Sequence, residues 1–188
     1  MSEDRTDLAE RFLALLRPIR GKLEGHCRRL VWNEQDAPDA LQNSVLHAFK
    51  AFDRYHEGGN FRGWMFKILT NEVFKLNAKH GRLAQFEYQM EPEELEALPA
   101  WEQSAAYRDW LNAPEALADA LDQELIASLK TLTEPERAVL LLIAIGDFRY
   151  REVAEMLEIP MGSVMGNFAR ARKKMQAAIL RSERKAVL

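Results

Sequence analysis

Cysteine and long apolar runs are what this sequence has least of. Its 188 residues include one cysteine, Cys27, so no disulfide can form within the chain, which suits a reducing, cytoplasmic location. No stretch approaches the roughly 18 apolar residues that a membrane-spanning helix requires, so we expect no direct membrane insertion. The N-terminal stretch MSEDRTDLAER is acidic and polar, unlike a signal peptide.

Signatures of enzymes and metal sites are also missing. No Gly-rich phosphate-binding loop, nucleophile elbow or zinc-type cysteine spacing occurs. The glutamates between positions 91 and 96 have no partner base, so a solvated run of charge explains them better than catalytic carboxylates. His26 beside Cys27 lacks the further ligands of a metal site, and Cys27 falls on an apolar helix face. We therefore expect a protein that is not an enzyme and that needs no metal and no cofactor.

A strong excess of positive charge is absent overall, and the local distribution of charge is more informative. The formal net charge is −3. Residues 83–120 hold nine Asp or Glu and one Arg, whereas residues 160–188 hold seven Lys or Arg and one Glu. Screening limits the reach of a charge to about 10 Å at 0.1 M salt, so local charge governs attraction to phosphates. The C-terminal stretch can therefore bind nucleic acid despite the acidic total.

What the sequence does contain is a pair of helices near its C-terminus. Tyr150–Leu157 predicts the first helix, Pro160 breaks the chain after it, and the second helix starts near Met161. A helix that is buried on one side and small or cationic on the other can enter a DNA major groove, although a basic face is commonly just solvated surface. The predicted buried face carries Val164, Phe168, Ala171, Met175 and Ile179, and the outward face carries Gly166, Ala169, Arg170 and Lys173.

The N-terminal half also has helical periodicity. Residues 8–33 carry apolar side chains at helical spacing, from Leu8 through Leu15 to Val31, with a kink or split expected at Pro18 and Gly21. A second helix begins after the predicted N-cap Asp36 and extends to about residue 52. The loop 53–60, DRYHEGGN, follows, because two consecutive glycines do not sit comfortably inside a helix.

A third helix is predicted from about Phe61 to Lys79. Lys67, Asn71 and Phe74 are expected to point outward, with Trp64 on the flank. A basic residue, an amide and aromatic rings on one exposed surface suit a nucleic-acid strand whose bases are stacked as well as paired.

The remaining segments complete an all-α prediction with two small helical domains. Residues 83–115 are predicted to be an acidic linker, in which Trp101 and Trp110 either pin the linker to a domain or dock on a partner. A helix is expected over 116–129, and Thr133 with Glu136 fits a capping box that opens an apolar, buried helix. The predicted boundaries are 1–82 for the N-terminal helical bundle and 116–188 for the C-terminal helix-turn-helix domain.

Two segments of this chain resemble a known family. ASLKTLTEPERAVLLLIAIGDFRYREVAEMLEIPMGSVMGNFARARKKM resembles the C-terminal domain of bacterial extracytoplasmic-function (ECF) sigma factors. DAPDALQNSVLHAFKAFDRYHEGGNFRGWMFKILTN resembles their N-terminal domain. Both motifs occur in the family's order and at about its separation, and together they cover well over half of the chain.

The resemblance implies an RNA polymerase sigma factor that directs promoter-specific transcription initiation under the control of an anti-sigma protein. Its implied partners are core RNA polymerase, promoter DNA and that anti-sigma protein. In the family, the first domain binds the polymerase clamp and melts and reads the minus-10 element, and the second reads the minus-35 element. Carried over by motif, polymerase binding falls on Asp39, Gln42 and Leu46; minus-10 DNA falls on Asn60, Arg62, Trp64, Lys67 and Asn71; and minus-35 DNA falls on Ser163, Asn167, Arg170, Lys173 and Lys174.

Departures from the family pattern keep two other hypotheses open. Asn43 replaces an acidic residue of the clamp helix, and Met165-Gly166-Asn167 stands where Lys-Ser-Arg is usual, so two cations are lost. Gly166 also costs about 1 kcal/mol of helix stability relative to Ala. One alternative is therefore a sigma-like decoy that sequesters an anti-sigma protein without reading promoters. The other is an ordinary helix-turn-helix regulator, which would leave residues 36–77 unexplained.

Overall fold

The chain is divided into two compact units, Met1–Leu83 and Ala84–Leu188. A computed structural model of the chain describes residues 2–56, 58–79 and 126–186, and within these ranges there are helices and no strand. The acidic segment 83–115, with Trp101 and Trp110, lies outside the described residues. Of the helix expected over 116–129, only residues 126–129 are described, and they are helical.

The first unit contains four α-helices among its described residues. They are α1 (Ser2–Leu16), α2 (Arg20–Leu30), α3 (Ala37–Lys50) and α4 (Phe61–Lys79). The split expected at Pro18 is confirmed, because a short 3₁₀ turn, Arg17–Ile19, separates α1 from α2. Proline lacks the backbone N–H that would continue an α-helix and is tolerated at the start of such a turn.

The core of this unit is aromatic at one end and aliphatic at the other. The Phe12 ring packs edge-on against Phe49, Phe52 and Phe61, with centroids 5.1 to 5.7 Å apart. Leu15, which was expected on the apolar face of α1, is instead 41% exposed. Four consecutive apolar or small residues cannot all face inward on one helix, so Leu15 points away while Phe12 and Leu16 are buried. The helices α2, α3 and α4 bury Leu23, Leu30, Ala40, Ala48, Met65, Phe66, Leu69 and Val73.

The start of α3 lies where the sequence placed it, but it is capped differently. Asp36 occupies the N-cap position, yet its side chain makes no capping hydrogen bond. The side chain of Asn33 instead accepts a hydrogen bond from the Gln35 N–H at 3.3 Å and stabilises the 3₁₀ turn before the helix. Pro38 lies in the first turn of α3, where a missing N–H costs little.

The described part of the second unit is a helix-turn-helix with one helix before it. The helices are α5 (Glu134–Ala144), α6 (Tyr150–Leu157) and α7 (Met161–Ala186). The predicted capping box at the start of α5 is confirmed. Glu158 takes a left-handed conformation, with φ of 58°, and ends α6 two residues before Pro160. The predicted buried face of α7 is confirmed at Val164, Phe168, Ala171 and Met175.

The outward face of α7 departs from the expectation at one position. Ala169 and Arg170 are partly exposed and Lys173 is exposed, but Gly166 is buried. The expectation that Gly166 lies on an open face is therefore wrong. None of the described helices combines the length and apolar character needed to cross a membrane.

Candidate functional site

One face of α3 presents a row of side chains to solvent. Asp39, Gln42 and Leu46 are spaced by three and four residues, so they lie on one side of the helix. All three are exposed, and Leu46 reaches 48% exposure. An exposed leucine next to a carboxylate and an amide gives this face both an apolar and a polar contact point.

A groove of about 810 Å³ runs beside this row, between α3 and the α1–α2 pair. Its floor is apolar and includes Leu23 and Val45, and the exposed Leu13 stands at its edge. Arg20 at its edge is paired with Glu24, with Nε 2.7 Å from Oε1. The remaining lining residues are Leu16, Arg17, Cys27, Arg28, Glu34, Ala37, Pro38, Leu41, Gln42 and Leu46.

Cys27 lies at the bottom of this groove, and burial makes its thiol poorly reactive. It is 1% exposed, and its thiol donates a hydrogen bond to the Ala37 carbonyl at 3.4 Å. Burial raises the pKa of the Cys27 thiol to about 12. Neighbouring His26 is fully buried, with Nε2 3.2 Å from Thr70 Oγ1. The described residues contain no group of three or more metal-ligating side chains.

The loop between α3 and α4 is built around aromatic rings. Tyr55 stacks on Phe52 at 5.7 Å and contacts Trp64 at 5.2 Å, while Phe61 meets Tyr55 edge-on at 5.5 Å. The Tyr55 hydroxyl donates to the Gly59 carbonyl, which closes the loop. Gly58 has a φ of +89°, a conformation that side-chain-bearing residues rarely adopt.

A second cavity of about 470 Å³ opens at this loop. Arg11 and Leu15 of α1 line one side of it, and Phe52, Tyr55 and Phe61 line the other. Ala14, Gly58 and Gly59 complete the lining. Sequence reasoning did not place α1 at this cavity. The contribution of α1 is shown by Leu15, which was expected to be buried and is exposed instead.

Four of the five predicted minus-10 residues form a row along α4, and Arg62 lies away from it. Asn60, Trp64, Lys67 and Asn71 recur at steps of four, three and four, so they follow one side of α4. Asn71 is exposed, while Trp64 and Lys67 are partly exposed. Asn60 caps the helix, because its Oδ1 accepts the Gly63 N–H at 2.9 Å.

Arg62 lies about 160° around the helix from this row. Phe74, expected to point outward, is half-buried.

Glu72 ties α4 back to α3 beside this row. Its Oε1 lies 3.1 Å from Nδ1 of His47 and 2.8 Å from Nζ of Lys75. Burial alone would raise the pKa of Glu72, but hydrogen bonds and charge from Lys75 and His47 outweigh it and lower that pKa overall. Glu72 therefore links α4 to α3 beside this row.

In the second unit, the predicted minus-35 residues lie along one flank of α7. Ser163, Asn167, Arg170 and Lys174 recur at steps of four, three and four. Ser163 and Asn167 are 6% and 4% exposed, so they are buried rather than presented. The side chains of Arg170 and Lys174 are 28% and 42% exposed, and Lys173 on the neighbouring face is exposed.

On this flank, the buried Asn167 contacts the partly exposed Arg170. Asn167 Nδ2 donates to the Ser163 carbonyl at 2.7 Å, and Asn167 Oδ1 accepts from Arg170 Nη2 at 3.1 Å. Further along the helix, the Arg172 guanidinium lies 5.7 Å from the centroid of the Phe168 ring, within the range of a cation–π contact.

A single carboxylate on α5 meets the same flank. The Glu136 side chain is 3% exposed, and Lys174 Nζ donates to Oε1 and Oε2 at 2.9 and 2.7 Å. Arg170 Nε lies 3.4 Å from Oε1. Burial raises the pKa of Glu136, but hydrogen bonds from Lys174 and Thr133 outweigh it and lower the pKa overall. Sequence reasoning identified Glu136 as a cap and missed its contact with α7, since no local pattern links positions 38 residues apart.

Comparison with known proteins matches each unit to a described region. The family model for Sigma-70 region 2 matches residues 15–83, and the model for Sigma-70 region 4 matches residues 122–175. The ECF RNA polymerase sigma factor SigE of Mycolicibacterium smegmatis is 28% identical over 151 residues, which cover 79% of this chain and 53% of that relative. The ECF RNA polymerase sigma-E factor of Salmonella typhimurium is 27% identical over 142 residues, which cover 73% and 71%.

Two solved structures share the fold. The sigma factor RpoE from Bartonella quintana, crystallised with the anti-sigma factor NepR, matches with a TM-score of 0.63 and 21% identity over 92% of this chain and 96% of that one. CnrH, in complex with the cytosolic domain of CnrY, matches with a TM-score of 0.61 and 22% identity over 95% and 93%. The chain spans about half the length of the SigE relative. With both sigma-70 regions present in order, the chain belongs to the ECF sigma factor family.

Proposed function

We propose that this chain is a promoter-specificity subunit of bacterial RNA polymerase. The observation that carries the proposal is the presence of both sigma-70 regions on one chain, each matched to a unit with its own exposed candidate surface. An ordinary helix-turn-helix regulator would account for residues 122–175 alone. Both sigma regions together are needed to join polymerase binding to promoter recognition.

In the first unit, we assign polymerase binding to the exposed row Asp39, Gln42 and Leu46. An apolar residue such as Leu46 at 48% exposure gains free energy when a partner covers it. The row on α4 and the aromatic loop are assigned to the minus-10 element. Rings beside the cavity at Tyr55 offer a stacking surface for a base taken out of the duplex.

In the second unit, we assign minus-35 recognition to α7. Arg170 is assigned to a base edge, because its side chain is 28% exposed and Nη2, which donates to Asn167, carries a second hydrogen. Of the two lysines of the predicted minus-35 set, exposed Lys173 is assigned to the DNA backbone, whereas Lys174 is paired with Glu136. Buried Ser163 and Asn167 support these side chains rather than touch DNA themselves.

The acidic segment 83–115 is proposed as the linker between the two domains, 1–82 and 116–188. Its surplus of carboxylates argues against a DNA contact and favours a path through a cationic nucleic-acid channel of the polymerase. The chain would act in the cytoplasm with its polymerase, without catalysis, metal or cofactor of its own.

We also propose control by an anti-sigma protein. One structural neighbour, RpoE of Bartonella quintana, was solved with the anti-sigma factor NepR. The exposed Leu13 and Leu46 beside the α3 groove give a partner apolar surface to cover, and covering it would block polymerase binding. Purification from the native host should recover a stoichiometric inhibitor, and full activity of the chain in cells without one would contradict this.

The proposal is tested by binding of the full chain to core RNA polymerase and by transcription from a promoter library. Leu46→Asp should weaken core binding by at least about tenfold, because it places a charge in the middle of the proposed contact. Leu15→Asp is the matched control for core affinity. Leu15 is 41% exposed and lies on another surface, so this change should leave the affinity for core polymerase unchanged. Failure of the wild-type chain to bind core would overturn the proposal.

The second candidate is a decoy that binds an anti-sigma protein without reading promoters. It is favoured by Met165-Gly166-Asn167 and by the burial of Gly166 and Asn167 on the DNA-facing helix. Transcription from a defined promoter separates the two candidates. A decoy would bind the anti-sigma protein and support no specific initiation.

A further inference from the structure

Glu136 makes more contacts than a helix cap requires. A capping box needs the Glu136 carboxylate only as acceptor for the Thr133 N–H, which it accepts at 2.9 Å. The same carboxylate also receives Lys174 at 2.7 and 2.9 Å and approaches Arg170 at 3.4 Å. Both cations come from α7, so one buried side chain joins the start of α5 to the proposed DNA-binding helix.

We infer that Glu136 is a positioning residue that sets how α7 discriminates between promoter and random DNA. The inference rests on the proposed function of α7. It assigns to Glu136 two effects on the cations opposite: it orients Arg170 and it neutralises Lys174. Neither effect is needed for the cap itself.

The orientation of Arg170 follows from two contacts along the Nε–Nη2 edge of its guanidinium. Nε faces the Glu136 carboxylate, and Nη2 donates to the Asn167 amide oxygen at 3.1 Å. Asn167 is itself fixed by its bond to the Ser163 carbonyl. An arginine that is bound along one edge, with Nη1 buried, loses rotamer freedom, which favours a contact of defined geometry over loose contact with phosphates.

The neutralisation of Lys174 follows from distance and burial. Its ammonium lies within 2.9 Å of both carboxylate oxygens, and the carboxylate is 3% exposed and poorly screened. A paired lysine releases little counterion from DNA, whereas the adjacent Lys173 is exposed. The two neighbouring lysines should therefore differ in their share of backbone binding.

Glu136→Gln tests this, because glutamine preserves the capping bond and removes only the charge. With the full chain bound to core polymerase, we expect steeper salt dependence on random duplex DNA, by about one to two phosphate contacts. Preference for the promoter over random DNA should fall by about tenfold. Glu155→Gln is the matched control: it removes the same charge from an exposed α6 side chain that pairs with Arg151.

Equal salt slopes and equal discrimination for Glu136→Gln and Glu155→Gln would overturn the inference. If Glu136→Gln lowers thermal stability, Lys174→Gln and Lys173→Gln provide the second measurement. We expect Lys173→Gln to reduce the salt slope by about one contact and Lys174→Gln to change it little; equal reductions would also overturn the inference. A wild-type chain that cannot tell promoter from random DNA would instead contradict the proposed function, while the salt slopes would still test Glu136.

Discussion

The neighbouring cations Arg170 and Lys173 on α7 have different surroundings, which predict different roles in DNA binding. Arg170 is 28% exposed and is held by Glu136 and Asn167, whereas Lys173 is exposed on the next face of the helix. A fixed guanidinium suits base recognition, and a mobile ammonium suits a phosphate. Side-chain chemistry and surroundings together therefore predict two different mutational outcomes.

Arg170→Ala should cost about 1–3 kcal/mol of promoter binding and relax sequence preference at one upstream position. Lys173→Ala should weaken binding to all sequences alike and lower the salt slope by about one contact. The measurement is the affinity of the polymerase complex for single-base promoter variants over a range of salt concentrations. Unchanged discrimination after Arg170→Ala would place recognition on the N-terminal unit instead.

The burial of residues on α7 could be predicted from the sequence only in part. Periodicity identified the apolar face correctly because that face depends only on helix geometry. It did not identify the burial of Ser163 and Asn167, which depends on neighbours that local spacing does not specify. For the same reason, Glu136 could be predicted as a cap but not as the partner of Lys174.

At the scale of the element, the junction between α5 and α6 leaves no room for a side chain at Gly146. A Cβ on Gly146 would lie 2.5 Å from Cδ2 of Phe148 and would also collide with the Leu142 carbonyl oxygen. Phe148 is 3% exposed, so its ring cannot swing out without emptying core volume. The junction therefore requires glycine for space, although Gly146 does not have a positive φ.

Gly146→Ala should destabilise the second unit by about 1–3 kcal/mol, the range expected for overpacking of a well-packed site. Gly162→Ala is the matched control, because its Cβ would meet nothing within 4 Å. Urea unfolding of both variants makes the comparison. Equal stabilities would mean that the junction relaxes at little cost.

Helix ends were the most predictable elements. The capping box at Thr133 and the breaks at Pro18 and Pro160 are local signals, and each lies where it was expected. The cap of α3 was less predictable: Asp36 occupies the N-cap position without a side-chain capping bond, and the capping side chain nearby, Asn33, belongs to the 3₁₀ turn before the helix. Whether a side chain at the N-cap position makes its hydrogen bond depends on backbone geometry that composition does not encode.

At the scale of the whole molecule, each unit contains, among its described residues, a carboxylate that links two helices. Glu72 joins α4 to α3 through His47, and Glu136 joins α5 to α7 through Lys174. The pKa of each carboxyl is lowered from its ordinary value of 4.5. In the acidic range, each of these two carboxyl groups therefore binds less proton in the folded chain than in the unfolded chain.

The stabilisation from these two carboxylates is present above about pH 4.5 and is lost as the pH falls through the lowered folded values. We expect the free energy of unfolding of the chain to fall below that pH, measured by urea titration at a series of pH values. Glu72→Gln with Glu136→Gln should flatten this dependence. An unchanged slope in the double variant would assign the acid sensitivity to other groups.

The buried thiol of Cys27 has a consequence for how this factor could sense its surroundings. With a pKa of about 12 and 1% exposure, the thiol supplies on the order of one thiolate in 10⁵ molecules at neutral pH. Peroxide and disulfide reagents react with the thiolate, and Cys27 is the one cysteine of this sequence. Cys27 is therefore a poor sensor of peroxide or disulfide reagents while the first unit is folded, and a covalent redox switch at this cysteine would first require its helices to open.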